Sequence, residues 1–269
     1  MSRAVAVVQA RLGSTRLPGK VLMDLNGRSV LGRVLERCLA IPGIAAVVCA
    51  TTDDENGALV AAEAENCGAF AFRGSEADVL DRMVGAARTQ AADIVLRVTA
   101  DCPAIDPEVC GAVLRLLQDT GAAYATNNMP PSWPHGLDVE AMRMVDLEES
   151  WRTAHDPDTR EHVTLDLRSR DGVSRVNLLG PGGDATDHRW TLDTADDLRF
   201  FQTLFTRLPE GAAGFPWRAV EQAVRQPTDI SGLNTHQDSH RVVRNAFEHN
   251  EPEIEGYTER GQRFHLLSP

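Results

Sequence analysis

Short apolar runs alternate along the chain with longer stretches whose apolar residues recur every three or four positions. Ala4-Val-Ala-Val-Val-Gln9 is of strand length and apolar almost throughout, the pattern of a strand covered on both faces. Val30, Leu31, Val34, Leu35 and Cys38 then fall on one helical face, and Pro42-Gly43 stops that helix. Ala46–Ala50 predicts a second buried strand. Asp53 and Asp54 precede an Ala-rich helix running to about Asn66, closed by Gly68. Ala69–Phe72, Asp93–Thr99 and Ala122–Thr126 predict further strands. Helices are expected over Ala77–Gln90 and from Asp106-Pro107 onward, with Pro at the first helical position.

Strands alternating with helices, all short and apolar, imply an α/β fold: a three-layer α/β/α sandwich on a mostly parallel, Rossmann-like sheet. Ligands of such sheets sit beyond the carboxyl ends of the strands, so residues just after each strand are the ones to inspect. After Trp133 the pattern loosens. It predicts strands at Leu137–Ala141, Arg175–Leu179 and Arg189–Leu192, and helices near Val145–Ala154, Arg160–Arg168 and Asp196–Leu208. The four tryptophans (Trp133, Trp151, Trp190, Trp217) have no stacking spacing and are expected in the core. The segment after Asn234 is polar, and its acids Glu248, Glu251, Glu253 and Glu255 read as a solvated loose tail. The expected organisation is one domain over 1–235, with a nucleotide-binding half to about 128 and an acceptor-binding, dimerising half beyond it. Residues 236–269 would form an extension.

Composition narrows the function. With 27 Lys and Arg against 39 Asp and Glu, a net charge of −12 argues against a general binder of nucleic acid or anionic membrane. Five scattered cysteines without a CxxC pair indicate neither a disulfide framework nor a zinc ribbon. The apolar stretch Ala4–Ala10 contains Gln9 and ends at Arg11, unlike a secretory leader, and Cys38–Thr52 is too short and too broken to span a bilayer. A cytoplasmic protein is expected. Among the 27 basic residues Lys20 is the only lysine. It is either a survivor of compositional drift or a place where a compact point charge is needed rather than a planar fork.

The stretch Gln9-Ala-Arg11-Leu-Gly13-Ser14-Thr15-Arg16-Leu-Pro18-Gly19-Lys20 follows the first strand. Its two glycines, two hydroxyls and three cations are what a polyphosphate requires. It is neither a P-loop, since Val21 replaces the magnesium-holding Ser/Thr, nor a GxGxxG turn. Asp101 follows the fourth strand in a turn stiffened by Pro103, a natural place for a Mg²⁺ ligand beside such a loop. Asp193 ends a later apolar stretch, with Asp196 and Asp197 placed to favour a helix N-terminus.

The string Gln9–Lys20 resembles the signature loop of the cytidylyltransferases that activate sugar acids, the CMP-sialic acid, CMP-Kdo and CMP-pseudaminic acid synthetases. It is similar in particular to the branch of the spore coat polysaccharide biosynthesis protein SpsF. Further motifs of that family follow in order: Ala50-Thr-Thr-Asp53, Arg73-Gly-Ser-Glu-Ala-Asp-Val-Leu80, Arg97-Val-Thr-Ala-Asp101-Cys-Pro103, Gly136-Leu-Asp-Val-Glu140, Arg160-Glu-His-Val-Thr164 and Leu192-Asp193-Thr-Ala-Asp-Asp-Leu198. They span roughly residues 4–200.

The resemblance implies the nucleotide-diphospho-sugar transferase (GT-A type) sheet and a Mg²⁺-dependent cytidylyltransferase. Such an enzyme joins CMP from CTP to a small anionic acceptor, releases pyrophosphate and works as a homodimer. Catalysis would rest on Arg11, Lys20, Asp101 and Asp193, with Asp101 and Asp193 on the metal. Gln9, Ala10, Arg11, Gly13, Ser14, Arg16, Lys20, Thr51, Thr52, Arg73, Ser75 and Thr99 would bind the nucleotide. Asp138, Glu140, Arg160, Glu161 and His162 would bind the acceptor. For Thr51, Thr52, Arg73 and Ser75 the plainer reading is hydroxyls finishing a strand and a surface arginine, and for His162 a surface histidine. His135 stands before Gly136 where relatives often carry an acid. A GT-A glycosyltransferase and a nucleotide-binding module without activity share the sheet. The first would usually carry an Asp-x-Asp pair, absent from Asp101-Cys-Pro103, and the second would lack a partner such as Asp193.

Overall fold

The computed structural model describes residues 2–209, 215–234, 254–259 and 261–267. Its first half follows the hydrophobic pattern. β1 (Ala4–Gln9) is buried, and β2 (Ile44–Thr52) and β4 (Ile94–Thr99) pair parallel to its two sides. β3 (Phe70–Gly74) pairs parallel to β2. Successive side chains of β1 point to opposite layers: Ala4, Ala6 and Val8 pack with α1 (Val30–Leu39) and α4 (Pro107–Thr120). Val5 and Val7 pack with α3 (Val79–Thr89). Helix α2 (Glu55–Asn66) begins at Asp54, whose carboxylate accepts from Gly57 N–H at 2.8 Å, and α4 begins at Asp106, which accepts from Glu108 and Val109 N–H.

The later strands are β5 (Tyr124–Thr126), β6 (Glu140–Arg143), β7 (Arg175–Leu178), β8 (Ile254–Tyr257) and β9 (Arg263–Leu267). The sheet order is β3-β2-β1-β4-β6-β5-β7-β9-β8, with β6 antiparallel to both neighbours and β9 antiparallel to β7 and β8. The fold is therefore a three-layer α/β/α sandwich on a mixed, mostly parallel sheet. The chain runs outward from β1 to β3 and returns to β4 on the other side, which puts the switch point of the sheet between the carboxyl ends of β1 and β4.

Departures from the sequence expectations lie after Trp133. The strand expected at Leu137–Ala141 begins at Glu140, because Leu137 N–H closes a turn onto the Pro134 carbonyl. The helix expected over Arg160–Arg168 is two, α6 (Pro157–His162) and α7 (Leu165–Ser169), parted by Val163 at φ +63°. Arg189–Leu192 is not a ladder strand. A single bridge joins Arg189 to His135, while Trp190 N–H donates to the His135 carbonyl and Leu192 N–H to that of Asp101. The segment thus crosses the ends of the sheet instead of extending it. Helices α5 (Met144–Thr153) and α8 (Ala195–Phe205) match expectation, and α9 (Trp217–Arg225) has no counterpart among the expected elements.

Trp190, Leu192, Phe200, Phe201, Leu204, Trp217 and Val220 form a third apolar cluster that carries Asp193 to the sheet. Glu248, Glu251 and Glu253 lie outside the described residues. Glu255 belongs to β8 and is no part of a loose tail: β8 pairs with β9 and becomes the edge strand of the sheet.

Candidate active site

At the switch point lies a cleft of about 290 Å³, lined by Gln9, Ala10, Arg11, Gly13, Ser14, Thr15, Arg16, Lys20, Val21, Thr99, Ala100, Asp101 and Asp193. The Gln9–Lys20 loop is shaped by its own bonds. Ser14 N–H and Gly19 N–H donate to the Leu12 carbonyl at 2.8 and 3.1 Å, and Leu17 N–H to Ser14 Oγ at 3.3 Å. Gly19 takes φ +73°, which a side chain would strain, and opens the 3-10 turn at 20–22 that turns Lys20 inward. Three N–H groups are thus used inside the loop, and the side chains of Arg11, Arg16 and Lys20 bring positive charge to the cleft. The two arginines are exposed and Lys20 is buried.

The Lys20 ammonium makes three bonds: to Asp101 Oδ2 at 3.1 Å, Asp193 Oδ1 at 2.9 Å and the Leu192 carbonyl at 2.8 Å. Burial works to lower its pKa, but Asp101 and Asp193 outweigh burial and hold it above the usual lysine value. Burial likewise pushes the Asp101 carboxyl up, and the Lys20 charge with hydrogen bonds from Thr99 and Lys20 brings it below the usual value. Asp193 also meets Arg16 at 2.9 Å through Oδ1 and Arg189 at 2.9 Å through Oδ2. Asp197 caps α8 with Thr194 in a reciprocal box, as its position predicts.

Two carboxylates thus converge on one point already taken by a cation. Hard oxygen donors of that kind suit Mg²⁺, which keeps the rest of its shell for water and phosphate oxygens. Among the described residues no group of three or more His, Cys, Asp or Glu side chains could hold a metal by itself. The pair Asp101 and Asp193 therefore fits a metal that arrives with a nucleotide better than a resident one.

A second cleft of about 230 Å³ opens from the same carboxylates, lined by Arg97, Thr99, Asp101, Cys102, Asn128, His135, Asp138, Glu140, Thr191 and Asp193. Glu140 sits where antiparallel β6 meets β4 and β5. It contacts Arg97 Nη1 and the Tyr124 hydroxyl closely and accepts from Thr164 Oγ1 at 2.7 Å. Burial raises its pKa, and Arg97 and Arg168 together with those hydrogen bonds bring it below the usual value. Arg97 Nε also donates to Gln9 Oε1 at 2.9 Å, tying the second cleft to the loop of the first. His135 Nδ1 lies 2.8 Å from Asp138 Oδ2, which also accepts from Gly136 N–H at 2.9 Å. Gly136 is required there: at φ +108°, a Cβ would stand 2.2 Å from the Trp190 carbonyl oxygen.

The structure brings together Gln9, Ala10, Arg11, Gly13, Ser14, Arg16, Lys20, Thr99, Asp101 and Asp193 in the first cleft, and Asp138 and Glu140 in the second. It places the other candidates elsewhere. Thr51 and Thr52 are buried at the end of β2, with Thr52 Oγ1 donating to Asp54. Arg73 donates to the carbonyls of Asp53 and Asp54 at 2.7 Å, and Ser75 Oγ accepts from Asp78 N–H. Arg160 is paired with Asp78 and donates to the Trp151 carbonyl, while Glu161 and His162 are exposed on α6. Arg97, His135, Asn128 and Thr191 line the second cleft although the sequence reading gave them no role. The signal for Arg97 is a charge inside the apolar strand Ile94–Thr99.

Comparison with known proteins shows the family. The chain matches the family model described as "Cytidylyltransferase" over residues 5–181. It is 32% identical over 216 residues, 78% of this chain and 89% of the relative, to the spore coat polysaccharide biosynthesis protein SpsF of Bacillus subtilis. A cytidylyltransferase structure from Leptospira borgpetersenii superposes with TM-score 0.80 at 26% identity, covering 88% of this chain and 98% of that one. A CMP:2-keto-3-deoxy-manno-octonic acid synthetase solved with CTP shares the fold, with TM-score 0.59 at 23% identity over 76% of this chain and 99% of that one. No helix among the described residues is long and apolar enough to cross a membrane. The chain belongs to the cytidylyltransferase family.

Proposed function

From that membership we propose that the protein transfers CMP from CTP to a small acceptor and releases pyrophosphate. The observation that carries the reading is the shared wall of the two clefts. Thr99, Asp101 and Asp193 line both, so one carboxylate pair faces a polyphosphate loop on one side and a polar acceptor cleft on the other. An acceptor oxygen attacks the α-phosphorus in line, and the bond to the β-phosphate oxygen breaks to free pyrophosphate. Phosphoryl-type transfer asks little covalent work of a protein, so positioning and charge neutralisation dominate.

Arg11, Arg16 and Lys20 hold the β- and γ-phosphates and stabilise the departing charge. Asp101 and Asp193 would hold Mg²⁺, which supplies polarisation of the α-phosphate and of the acceptor oxygen. Arg97, His135, Asp138 and Glu140 orient the acceptor. We take it to be a sugar acid of the nonulosonic type or a phosphonate or phosphorylated small molecule, and the working unit to be a homodimer. A single-chain mass in sedimentation at working concentration would overturn the dimer.

The test is pyrophosphate release with each of the four NTPs and Mg²⁺ against a panel of sugar acids, phosphonates and phosphoalcohols. Release with CTP and one acceptor class is the expected result. Release with no acceptor in the panel, while CTP still binds by calorimetry, would overturn CMP transfer to these acceptors.

A further inference from the structure

Asp193 is oriented from outside both clefts. Arg189, 8% exposed, donates through Nη2 to Asp193 Oδ2 at 2.9 Å and contacts Asp197 Oδ1 through Nη1. Asp197, 1% exposed, accepts with its other oxygen from the N–H groups of Asp193 and Thr194 and from Thr194 Oγ1, each at 2.9 Å. The main chain behind the arginine is tied as well: Asn234 Nδ2 donates to the Arg189 carbonyl at 2.9 Å. The two oxygens of Asp193 therefore have separate partners. Oδ2 faces Arg189, and Oδ1 meets Lys20 and Arg16, both at 2.9 Å. Neither Arg189 nor Asp197 lines either of these two clefts.

We infer that Arg189 is a positioning residue for CMP transfer: gripped by Asp197, it holds Asp193 so that Oδ1 alone is presented to Lys20 and the cleft. A planar guanidinium spans two carboxylates at once, which an ammonium at the end of a flexible stem does not. The arrangement also explains why Arg189–Leu192 runs across the sheet ends instead of pairing as a strand. The inference rests on the reading of Asp193 as part of the transfer site, and the test below separates the two.

Because Lys20 is the only lysine, protein labelled with ¹⁵N-lysine gives one side-chain ammonium signal. In the ligand-free enzyme its three hydrogen bonds slow exchange with water and keep that signal visible near neutral pH. In Arg189→Gln, Asp193 turns away and the signal is expected to broaden. The same variant should lose about 10–100-fold in kcat, the usual cost of an outer-shell partner, with KM for CTP changed by less than about threefold. Arg189→Lys, reaching one carboxylate only, should recover part of both. Arg175→Gln, buried at the amino end of β7, where Nε donates to the Leu167 carbonyl at 2.8 Å, is the control that lowers Tm without moving the Lys20 signal or kcat.

An unchanged Lys20 signal in Arg189→Gln would overturn the inference. So would a kcat loss matched by Arg175→Gln at equal Tm. If the unmodified enzyme transfers no CMP, the functional reading falls, while the Lys20 signal still decides whether Arg189 positions Asp193.

Discussion

The two clefts meet at Thr99, Asp101 and Asp193 but handle charge in opposite ways. In the first, Arg11 and Arg16 are exposed, Arg11 lying 3.8 Å from Glu76 and Arg16 2.9 Å from Asp193. A pair with an exposed arginine is worth little and exchanges readily for another anion, the polyphosphate of the proposed reaction among them. In the second, Arg97 is enclosed with Glu140, and half-buried His135 is paired with half-buried Asp138. Those pairs stand ready before any ligand arrives. In the proposed transfer, exposed charge suits gathering a polyanion and releasing its pyrophosphate. Charge paired beforehand suits orienting the proposed acceptor for attack.

Lys20 breaks the pattern of the first cleft, being its one buried cation among the described residues, and its removal should have the largest effect. Lys20→Ala is expected to lower the rate of pyrophosphate release roughly 10³-fold, the scale of deleting one preorganised donor to developing charge. Asp193 keeps Arg16 and Arg189 in that variant, so the melt should move by less than about 5 °C. Lys20→Arg should recover little, because a planar fork cannot replace three bonds converging on one nitrogen. Full turnover in either variant would erase the distinction between Lys20 and its exposed neighbours.

The second cleft should yield its contrast in stability. Glu140→Ala strands Arg97 and removes the acceptor for Tyr124 and Thr164. Breaking a buried pair in this way costs about 3 kcal/mol, read as a drop in the urea midpoint. Glu76→Ala, which removes the exposed partner of Arg11, should cost less than about 0.5 kcal/mol. Equal losses from the two substitutions would show that the clefts do not differ in how their charges are held.

How far the sequence revealed this site follows the same division. The loop from Gln9 to Lys20 and the turn after β4 are local: strand, glycine and cation are contiguous, so periodicity and spacing find them. The second cleft is assembled from segments far apart in the chain. Arg97 and Glu140 meet only because β6 inserts antiparallel beside β4, a reversal that alternating strand–helix periodicity gives no reason to expect. Arg189–Leu192 has the composition of a strand, yet its N–H groups bond the His135 and Asp101 carbonyls, a tertiary choice invisible to local propensity. Val163 likewise splits a segment whose periodicity reads as one helix. The hairpin β8–β9 is short, polar in its surroundings and defined by pairing with β7, so nothing within its own residues announces the sheet edge.

The smallest effect tests whether the His135–Asp138 pair is charged. Burial pulls the His135 pKa down, as does Arg189, but the hydrogen bond to Asp138 and the Asp138 and Asp101 charges outweigh both and raise it above the usual value of 6.5. Such a group contributes stability that is fully present below pH 6.5 and is lost as pH rises through the raised value. Asp138 works in the opposite direction. Burial pushes its carboxyl up and the His135 bond and charge bring it below 3.8, so its contribution is present above pH 3.8 and is lost as pH falls through the lowered value. The pair should therefore stabilise fully between those limits. In His135→Gln the urea midpoint at pH 6 should fall by the equivalent of less than about 1 kcal/mol. The gap to the unmodified protein should then narrow as pH is raised toward 9. A gap that stays constant over that range would mean that His135 is neutral throughout, and the fixed charge of the second cleft would reduce to Arg97 and Glu140.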